Sequence, residues 1–217
     1  MSVTLPPTAR RSISALLVAA VASVLVLLSS GSAFAYPPDP PDAATSRTHL
    51  GQLTVAPEGS SSGYSRDKFP HWISQGNSCN TREVVLQRDG EGVTVGPDCQ
   101  PTAGRWYSVY DAVWVNSSAD VQIDHIVALA EAWRSGASAW TTAQRQDFAN
   151  DLTHAQLIAV SGTSNNQKSD KDPAEWIPAN SSVHCIYARE WIDVKYVYGL
   201  TIDAAEKSAL DSLLNSC

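Results

Sequence analysis

Basic side chains are scarce in this sequence, which has 15 lysines and arginines against 22 aspartates and glutamates over 217 residues. Two of the arginines, Arg10 and Arg11, fall within the first 35 residues, so the remainder has 13 basic and 22 acidic side chains and a net charge of −9. Phosphate contacts supply most of the non-specific affinity that proteins have for nucleic acid. The composition therefore excludes a strongly adhesive nucleic-acid binder, and such a ligand would require a local basic patch and a metal ion.

Long apolar runs are also missing, with one short exception near the amino terminus. Residues 13–28 are uncharged and mostly apolar, follow Arg10 and Arg11, and lead to Ala33-Phe34-Ala35. This run is short for a membrane span, and the small residues after it are typical of signal-peptide cleavage. We expect residues 1–35 to be a signal peptide and the remaining chain to be secreted, without a membrane contact.

Cysteine is used sparingly, and the four cysteines form neither a C-x-x-C motif nor a compact Cys/His cluster of the kind that binds structural zinc. Four cysteines in an exported chain favour two disulfides, for which three pairings are possible. Cys79 and Cys99 flank a predicted β-hairpin, and Cys185 and Cys217 lie almost symmetrically about a predicted turn at 199–201. These positions predict the pairs Cys79–Cys99 and Cys185–Cys217.

The rest of the sequence predicts a single α+β domain behind a linker, without internal repeats. Residues 36–62 are rich in Pro, Ser, Gly, Thr and Ala, which predicts a disordered linker and places the folded domain at 63–217. Near its start we expect a β-hairpin with strands at 83–88 and 93–96 about a turn at 89–92. Helices at 182–198 and 202–215 are expected to form a helical hairpin at its end. A monomer is expected.

Strand and helix signals also fill the middle of the domain. Residues 121–127 alternate apolar with polar side chains and predict a half-buried strand, and residues 156–160 predict a second strand. Between them the sequence predicts helices at 129–134 and 141–149, and a further helix is expected at 164–170. The strands at 121–127 and 156–160 and the helix at 164–170 carry the residues that are best suited to chemistry.

Those residues are Asp124 and His125 on the first strand and Asn165 at the start of the following helix. A hard divalent ion prefers oxygen ligands, which an aspartate and an asparagine can supply. An imidazole has an unperturbed pKa near neutrality and is suited to take a proton from water. Because adjacent residues of a regular strand point to opposite faces, Asp124 and His125 are expected at a strand end or a bulge.

Asp124-His125-Ile126-Val127, followed by Asn165-x-x-Lys168, resembles the Asp-His and Asn-x-x-Lys signature of HNH endonucleases. From about residue 71 to residue 217 the chain also resembles secreted actinobacterial HNH-family proteins related to the GmrSD restriction endonuclease C-terminal domain. The resemblance implies a ββα-metal core, also called a His-Me finger, within the α+β domain. It further implies a metal-dependent endonuclease that hydrolyses phosphodiester bonds of nucleic acid with little sequence specificity. DNA is the expected substrate.

The resemblance also implies a role for each matching residue. His125 would be the general base, and Asp124 and Asn165 would bind one divalent ion, with Mg²⁺ expected first. Gln156 stands where relatives carry the Asn that orients the imidazole, and it is expected to do the same through its amide oxygen. Three basic residues are expected to contact or support the substrate phosphates: Lys168, Lys171 and Arg189.

Two positions depart from the family pattern, since Gln122 and Ala128 replace an expected acid and an expected proline. Together with Gln156 and the acidic charge, they favour an alternative in which the protein is a non-catalytic secreted binding module that keeps the fold. A second alternative is a metal-dependent hydrolase of a different phosphodiester, such as a small nucleotide. Metal-dependent turnover would distinguish the endonuclease from the binding module. Dependence of the rate on polymer length would distinguish it from a hydrolase of small phosphodiesters.

Overall fold

A computed structural model describes residue 1 and residues 37–217, so the predicted signal peptide lies outside the described residues except for Met1. The described chain is α+β, as predicted. Its helices and strands are α1 (Ala43–Gln52), β1 (Ser74–Gly76), β2 (Cys79–Asn80), α2 (Thr81–Asp89), β3 (Gly90–Val95), β4 (Pro101–Ser108), β5 (Val113–Val115), β6 (Val121–His125), α3 (Leu129–Arg134), α4 (Thr142–Ala149), β7 (Leu157–Ser161), α5 (Gly162–Lys168), α6 (His184–Tyr198) and α7 (Ala204–Leu214). Short 3-10 helices lie at Arg66–Lys68, Ala137–Ala139 and Ser181–Val183. None of the helices in the described part of the chain is long and apolar enough to cross a membrane.

The strands of the described residues form three small antiparallel sheets. They contain β1 with β2, β3 with β4 and β5, and β6 with β7. All five residues of β7 are buried, and β6 pairs with β7 in an uninterrupted register that runs from Val121–Ser161 to His125–Leu157. The opposite edge of β7 is held by side chains from the end of α2, because Arg88 donates to the Leu157 carbonyl and Asp89 accepts from the Ala159 amide at 2.8 Å. Strand β7 is therefore held along both of its edges.

The β-hairpin predicted at 83–96 is wrong in its position, because residues 81–89 form α2. Asn80 caps this helix and accepts from the Glu83 amide at 3.1 Å, while the Glu83 carboxylate accepts from the Asn80 amide at 2.7 Å. This capping box satisfies two amide groups that a helix start otherwise leaves unpaired, so it favours a helix over a strand. The hairpin is instead formed by β3 and β4, with its turn at 96–100.

The linker predicted at 36–62 contains a helix, α1, that packs onto the carboxy-terminal part of the domain. Leu50 and Leu53 are buried in the larger hydrophobic core. Arg47 donates to the Leu214 carbonyl at 2.8 Å, and Lys207 donates to the Leu50 carbonyl at 2.8 Å. The polar composition of this segment predicted a linker, but two buried leucines attach it to the domain.

Both disulfides form as predicted, and so does the carboxy-terminal helical hairpin. Cys79 bonds Cys99 across α2 and β3, and Cys185 bonds Cys217 at the open end of the hairpin of α6 and α7. Gly199 ends α6 in the left-handed region with φ of 62°, where a side chain would be strained. The geometric reason expected for the first pair is nevertheless wrong, since a helix and a strand separate the two cysteines.

Candidate active site

The strand pair β6–β7 and the helix α5 bring the predicted chemical residues together. Helix α5 begins directly after β7, and its last residue, Lys168, contacts β6. Its ammonium donates to Asp124 Oδ1 and to the His125 carbonyl, both at 2.9 Å. In the middle of the same helix, Asn165 Nδ2 donates to Gln122 Oε1 at 2.7 Å. The helix is thus fastened to the strand through two residues of the predicted motif.

His125 lies at the end of β6, as the geometry of adjacent strand residues requires, and no bulge interrupts the register there. The two neighbouring side chains contact different surroundings. Asp124 contacts Tyr110 and Lys168, whereas the His125 ring stacks on Trp72 with ring centroids 5.7 Å apart. Both residues still line the same cleft, since the strand ends there.

Asp124 is a buried carboxylate with two strong partners. Tyr110 donates its hydroxyl to Oδ2 at 2.8 Å, and the Lys168 ammonium lies 2.9 Å from each of the two carboxylate oxygens. Burial raises the pKa of the Asp124 carboxyl, while the charge of Lys168 and the Tyr110 hydrogen bond act in the opposite direction. Each carboxylate oxygen has more than one lone pair, so these contacts leave acceptor capacity on Asp124.

His125 is held by a backbone carbonyl, because its Nε2 lies 3.0 Å from the Ala149 oxygen. A carbonyl only accepts, so Nε2 must carry the proton and Nδ1 is the basic atom of the neutral ring. Burial lowers the pKa of His125 to about 3, and the positive charges of Arg66 and Lys168 add to this effect. The imidazole is therefore neutral at physiological pH, with a lone pair on Nδ1.

Asn150 fixes the loop that carries the Ala149 carbonyl, and sequence reasoning missed it. Its Nδ2 donates to the Pro70 and Gln146 carbonyls at 2.7 Å, and its Oδ1 accepts from the Ile73 amide at 3.2 Å and the Thr81 hydroxyl at 2.7 Å. The family pattern placed the orienting residue at Gln156, whereas Asn150 follows α4. An Asn directly behind a predicted helix was the available signal.

Gln156 does not orient the imidazole, contrary to the prediction. Its amide instead clamps the backbone of Val127, accepting from the amide nitrogen at 3.1 Å and donating to the carbonyl at 3.0 Å. The Gln156 side chain is completely buried and extends the contact between the strands past the end of β6. Its effect on His125 is through the backbone of the segment that follows.

None of the three predicted phosphate contacts lies in the cleft. Lys168 is fully buried and bonded to Asp124, so it cannot reach a substrate phosphate. Lys171 is exposed and donates to the Gln167 carbonyl at 2.9 Å. Arg189 donates to the carbonyls of Pro40 and Pro41, at 2.8 and 2.7 Å, and so fastens the segment before α1. All three basic residues therefore contact groups of the protein, whereas the sequence predicted contacts with substrate phosphates.

The cleft has a volume of about 480 Å³ and combines residues from four parts of the chain. It includes two arginines that sequence reasoning did not single out, Arg66 and Arg134. The lining residues are Ser61, Tyr64, Arg66, Ile123, Asp124, His125, Ala128, Leu129, Ala130, Arg134, Asn165, Asn166, Ser169 and Asp170. The lining thus joins the predicted motif to the segment at 61–66, which spans the predicted boundary between linker and domain.

Oxygen atoms for a cation are available in this cleft from Asp124 and Asn165. Because Asn165 Nδ2 is bonded to Gln122, its Oδ1 is the amide atom that can serve a cation. A second group, in which oxygens of Glu58, Asp172 and Asp203 lie within 4.8 Å of one another, is separate from the motif. Burial and the neighbouring Glu131 carboxylate raise the pKa of Glu58 to about 7.

Comparison with known proteins supports the resemblance seen in the motif. Residues 101–211, half of the chain, match the family described as GmrSD restriction endonucleases, C-terminal domain. The chain belongs to this family. The match includes β6, β7 and α5 and excludes the segment that carries Arg66.

One relative extends the similarity over most of the chain. An uncharacterized secreted protein of Arthroderma benhamiae is 50% identical over 198 residues, which cover 91% of this chain and 97% of the relative. The prediction that the protein is secreted is confirmed by this relative. An actinobacterial origin finds no support, since the relative comes from a fungus. No solved structure gives a significant match.

Proposed function

We propose that the protein is a secreted, metal-dependent endonuclease of the HNH type that hydrolyses phosphodiester bonds of nucleic acid. DNA is the favoured substrate, with little sequence specificity, and the protein acts as a monomer. The observation that carries the proposal is the state of His125, a neutral imidazole with its basic Nδ1 at a cleft that also presents the oxygens of Asp124 and Asn165. Membership of a restriction endonuclease domain family supports the same reaction class.

In this proposal His125 Nδ1 takes the proton of the water that attacks phosphorus. The Ala149 carbonyl stabilises the resulting imidazolium, because it accepts from Nε2 and thereby favours the charged ring. Trp72 stacks on the ring and Asn150 fixes the loop of Ala149, so the imidazole keeps one orientation. Orientation of a catalytic group lowers the barrier by removing the need to order it in the transition state.

The donor set fits a hard divalent ion, with Asp124 and Asn165 as its protein ligands and Mg²⁺ as the favoured metal. Such an ion would stabilise negative charge on the phosphate oxygens and on the departing oxygen. Lys168 has a supporting role, since its ammonium fixes Asp124 and balances its charge while the carboxylate faces the cleft. This replaces the phosphate contact that the sequence suggested for Lys168.

A non-catalytic binding module that keeps the fold remains the second candidate, and one observation favours it. Both oxygens of Asp124 already have a protein partner, so the pair with Lys168 is balanced without a metal ion. In that case the cleft would bind a ligand without turning it over.

Cleavage of plasmid and single-stranded DNA by the chain from residue 36 onward tests the proposal, with magnesium, manganese or chelator. We expect turnover that requires metal and that increases with polymer length. Asn165→Ala should raise the magnesium concentration needed for half-maximal rate by about tenfold, the size of effect that loss of one charge-linked contact produces. Asn116→Ala, an exposed asparagine behind β5, is the matched control and should leave the magnesium dependence unchanged. Intact DNA in every metal would favour the binding module.

A further inference from the structure

The cleft contains two arginines, and their surroundings differ. Arg134 is surrounded by carboxylates, with Glu58 at 3.0 Å, Glu131 at 2.8 Å and Asp170 at 2.7 Å. Its charge is therefore more than balanced by the protein itself. Arg66 is exposed, and no carboxylate of the described chain lies within ion-pair distance of its guanidinium.

Arg66 is held in place at one atom. Its Nε donates to His71 Nε2 at 3.3 Å, and His71 Nδ1 lies 2.8 Å from the Phe69 carbonyl. Since a carbonyl only accepts, Nδ1 carries the His71 proton and Nε2 is free to accept from Arg66. The two terminal nitrogens of the guanidinium, with four N–H groups, remain available to a ligand in the cleft.

The segment that carries Arg66 is anchored to the loop that carries the Ala149 carbonyl. Phe69 is completely buried, and Asn150 binds the Pro70 carbonyl and the Ile73 amide on either side of His71. Trp72, which stacks on His125, has a positive φ of 58°, a strained backbone position for a residue with a large side chain. Such strain persists only where neighbouring contacts determine the conformation, so the segment is a fixed wall of the cleft.

We propose that Arg66 binds a phosphate oxygen of the substrate backbone next to the phosphodiester bond that is hydrolysed by the water His125 activates, an assignment that rests on the proposed function. The guanidinium fork matches the spacing of two phosphate oxygens, and an arginine whose charge is not balanced by the protein gains most from such a partner. Arg66 is close enough to Asp124 and His125 for its charge to lower the pKa of both groups. It also supplies the local positive charge that an acidic protein needs to attract a polyanion.

Phosphate contacts are sequence-independent, and each one contributes to the salt dependence of binding. The inference therefore predicts a specific signature beyond a loss of affinity. Removal of Arg66 should reduce the slope of log affinity against log salt by about 0.7 for a single strand. A residue that merely supports the fold would not change this slope.

Binding is measured by fluorescence anisotropy with a labelled single-stranded oligonucleotide, in the His125→Ala background so that the probe stays intact. We expect Arg66→Ala to weaken binding roughly tenfold and to reduce the salt slope, while Arg66→Lys retains part of the affinity because it keeps the charge without the fork. Arg105→Ala is the matched control, an exposed arginine on β4 that pairs with Glu91 at 2.7 Å outside the cleft. Thermal unfolding of each variant reports whether the fold is intact.

Equal affinity and equal salt slope for Arg66→Ala and Arg105→Ala would overturn the assignment, whether or not the wild-type protein cleaves DNA. In the chain with His125, Arg66→Ala should also raise KM for DNA by a similar factor, and an unchanged KM would contradict the assignment. If the wild-type chain cleaves nothing but still binds the oligonucleotide in an Arg66-dependent way, the nuclease proposal fails and the phosphate site stands.

Discussion

Two lysines are completely buried in this protein, and they serve different parts of it. Lys168 joins α5 to β6 beside the cleft, with Asp124 as its single carboxylate partner and the His125 carbonyl as a further acceptor. Lys195 joins α6 to α3 and α7 away from the cleft, between the carboxylates of Glu131 at 2.8 Å and Glu206 at 2.7 Å. Burial of an ammonium is expensive in both cases unless charges and hydrogen bonds compensate it.

The two surroundings explain why only one of these lysines belongs to the candidate site. Lys195 also donates to the Ser135 hydroxyl and the Thr201 carbonyl, both at 3.0 Å, so all of its donors bind groups of the scaffold. Lys168 instead sets the charge and position of a carboxylate that lines the cleft. A buried charge is thus a structural feature in one region and a part of the candidate site in the other.

The largest effect on stability is expected at Lys195, whose ammonium contacts two buried carboxylates. Lys195→Met should lower the free energy of unfolding by about 4 kcal/mol, because Glu206 stays buried without a positive partner and Glu131 keeps only its ion pair with Arg134. Urea unfolding measures the change. Below the unfolding temperature the variant should keep its affinity for DNA, and a loss of less than about 1 kcal/mol would contradict the account of this network.

Glu190 extends the comparison, since it is a buried carboxylate without a lysine. Burial and the negative charge of Asp89 raise its pKa to about 8. The unfolded chain releases this proton near the ordinary value of 4.5, so between pH 4.5 and about 8 the folded state keeps a proton that the unfolded state has lost. The contribution of Glu190 to stability is therefore fully present below pH 4.5 and decreases as the pH rises to about 8.

Glu190→Gln should remove this part of the pH dependence, because its amide resembles the protonated carboxyl and does not titrate. We expect the variant to equal the wild type near pH 4 and to exceed it near pH 9 by on the order of 3 kcal/mol in free energy of unfolding. Urea unfolding at a series of pH values checks the prediction. Parallel pH profiles for the two proteins would contradict it.

A smaller loss of stability is expected at the cleft. Lys168→Met should lower the free energy of unfolding by about 2 kcal/mol, less than at Lys195 because one carboxylate is affected and Tyr110 still donates to it. Cleavage should nevertheless fall much more than for Lys195→Met. The double variant with Asp124→Asn should recover most of the stability but none of the activity, and a stability loss equal to the sum of the two single variants would contradict direct coupling.

Much of the fold was predictable because local signals and burial agreed. The patterns at 121–127 and 156–160 predicted β6 and β7, and the turn expected at 199–201 lies between α6 and α7. Where the prediction was wrong, a local signal was read incompletely. Asn80 and Glu83 form a capping box that starts α2, whereas the prediction of a hairpin rested on the turn residues at 89–92. Two leucines in a polar segment are too few to indicate α1.

The candidate site was predictable only in its motif residues. Asp124, His125 and Asn165 meet at one cleft, but the partner that orients His125 is a backbone carbonyl, which has no sequence signature. Lys168 and Arg66 show that the sequence also does not reveal which basic residue faces the cleft. One is basic but buried against a carboxylate, and the other lies in a segment outside the family match, so only the folded arrangement shows which one faces the cleft.

The most direct test of the central claim compares two histidine variants in metal-dependent DNA cleavage. His125→Ala removes the proposed base, and His49→Ala, a histidine on α1 that stacks on Tyr196 at 3.7 Å, is the matched control. The account predicts that His125→Ala loses cleavage by about a hundredfold or more at saturating magnesium, as expected for a general base, while His49→Ala keeps the wild-type rate. Equal rates for His125→Ala and the wild type would show that the chemistry, if any, lies elsewhere in the protein.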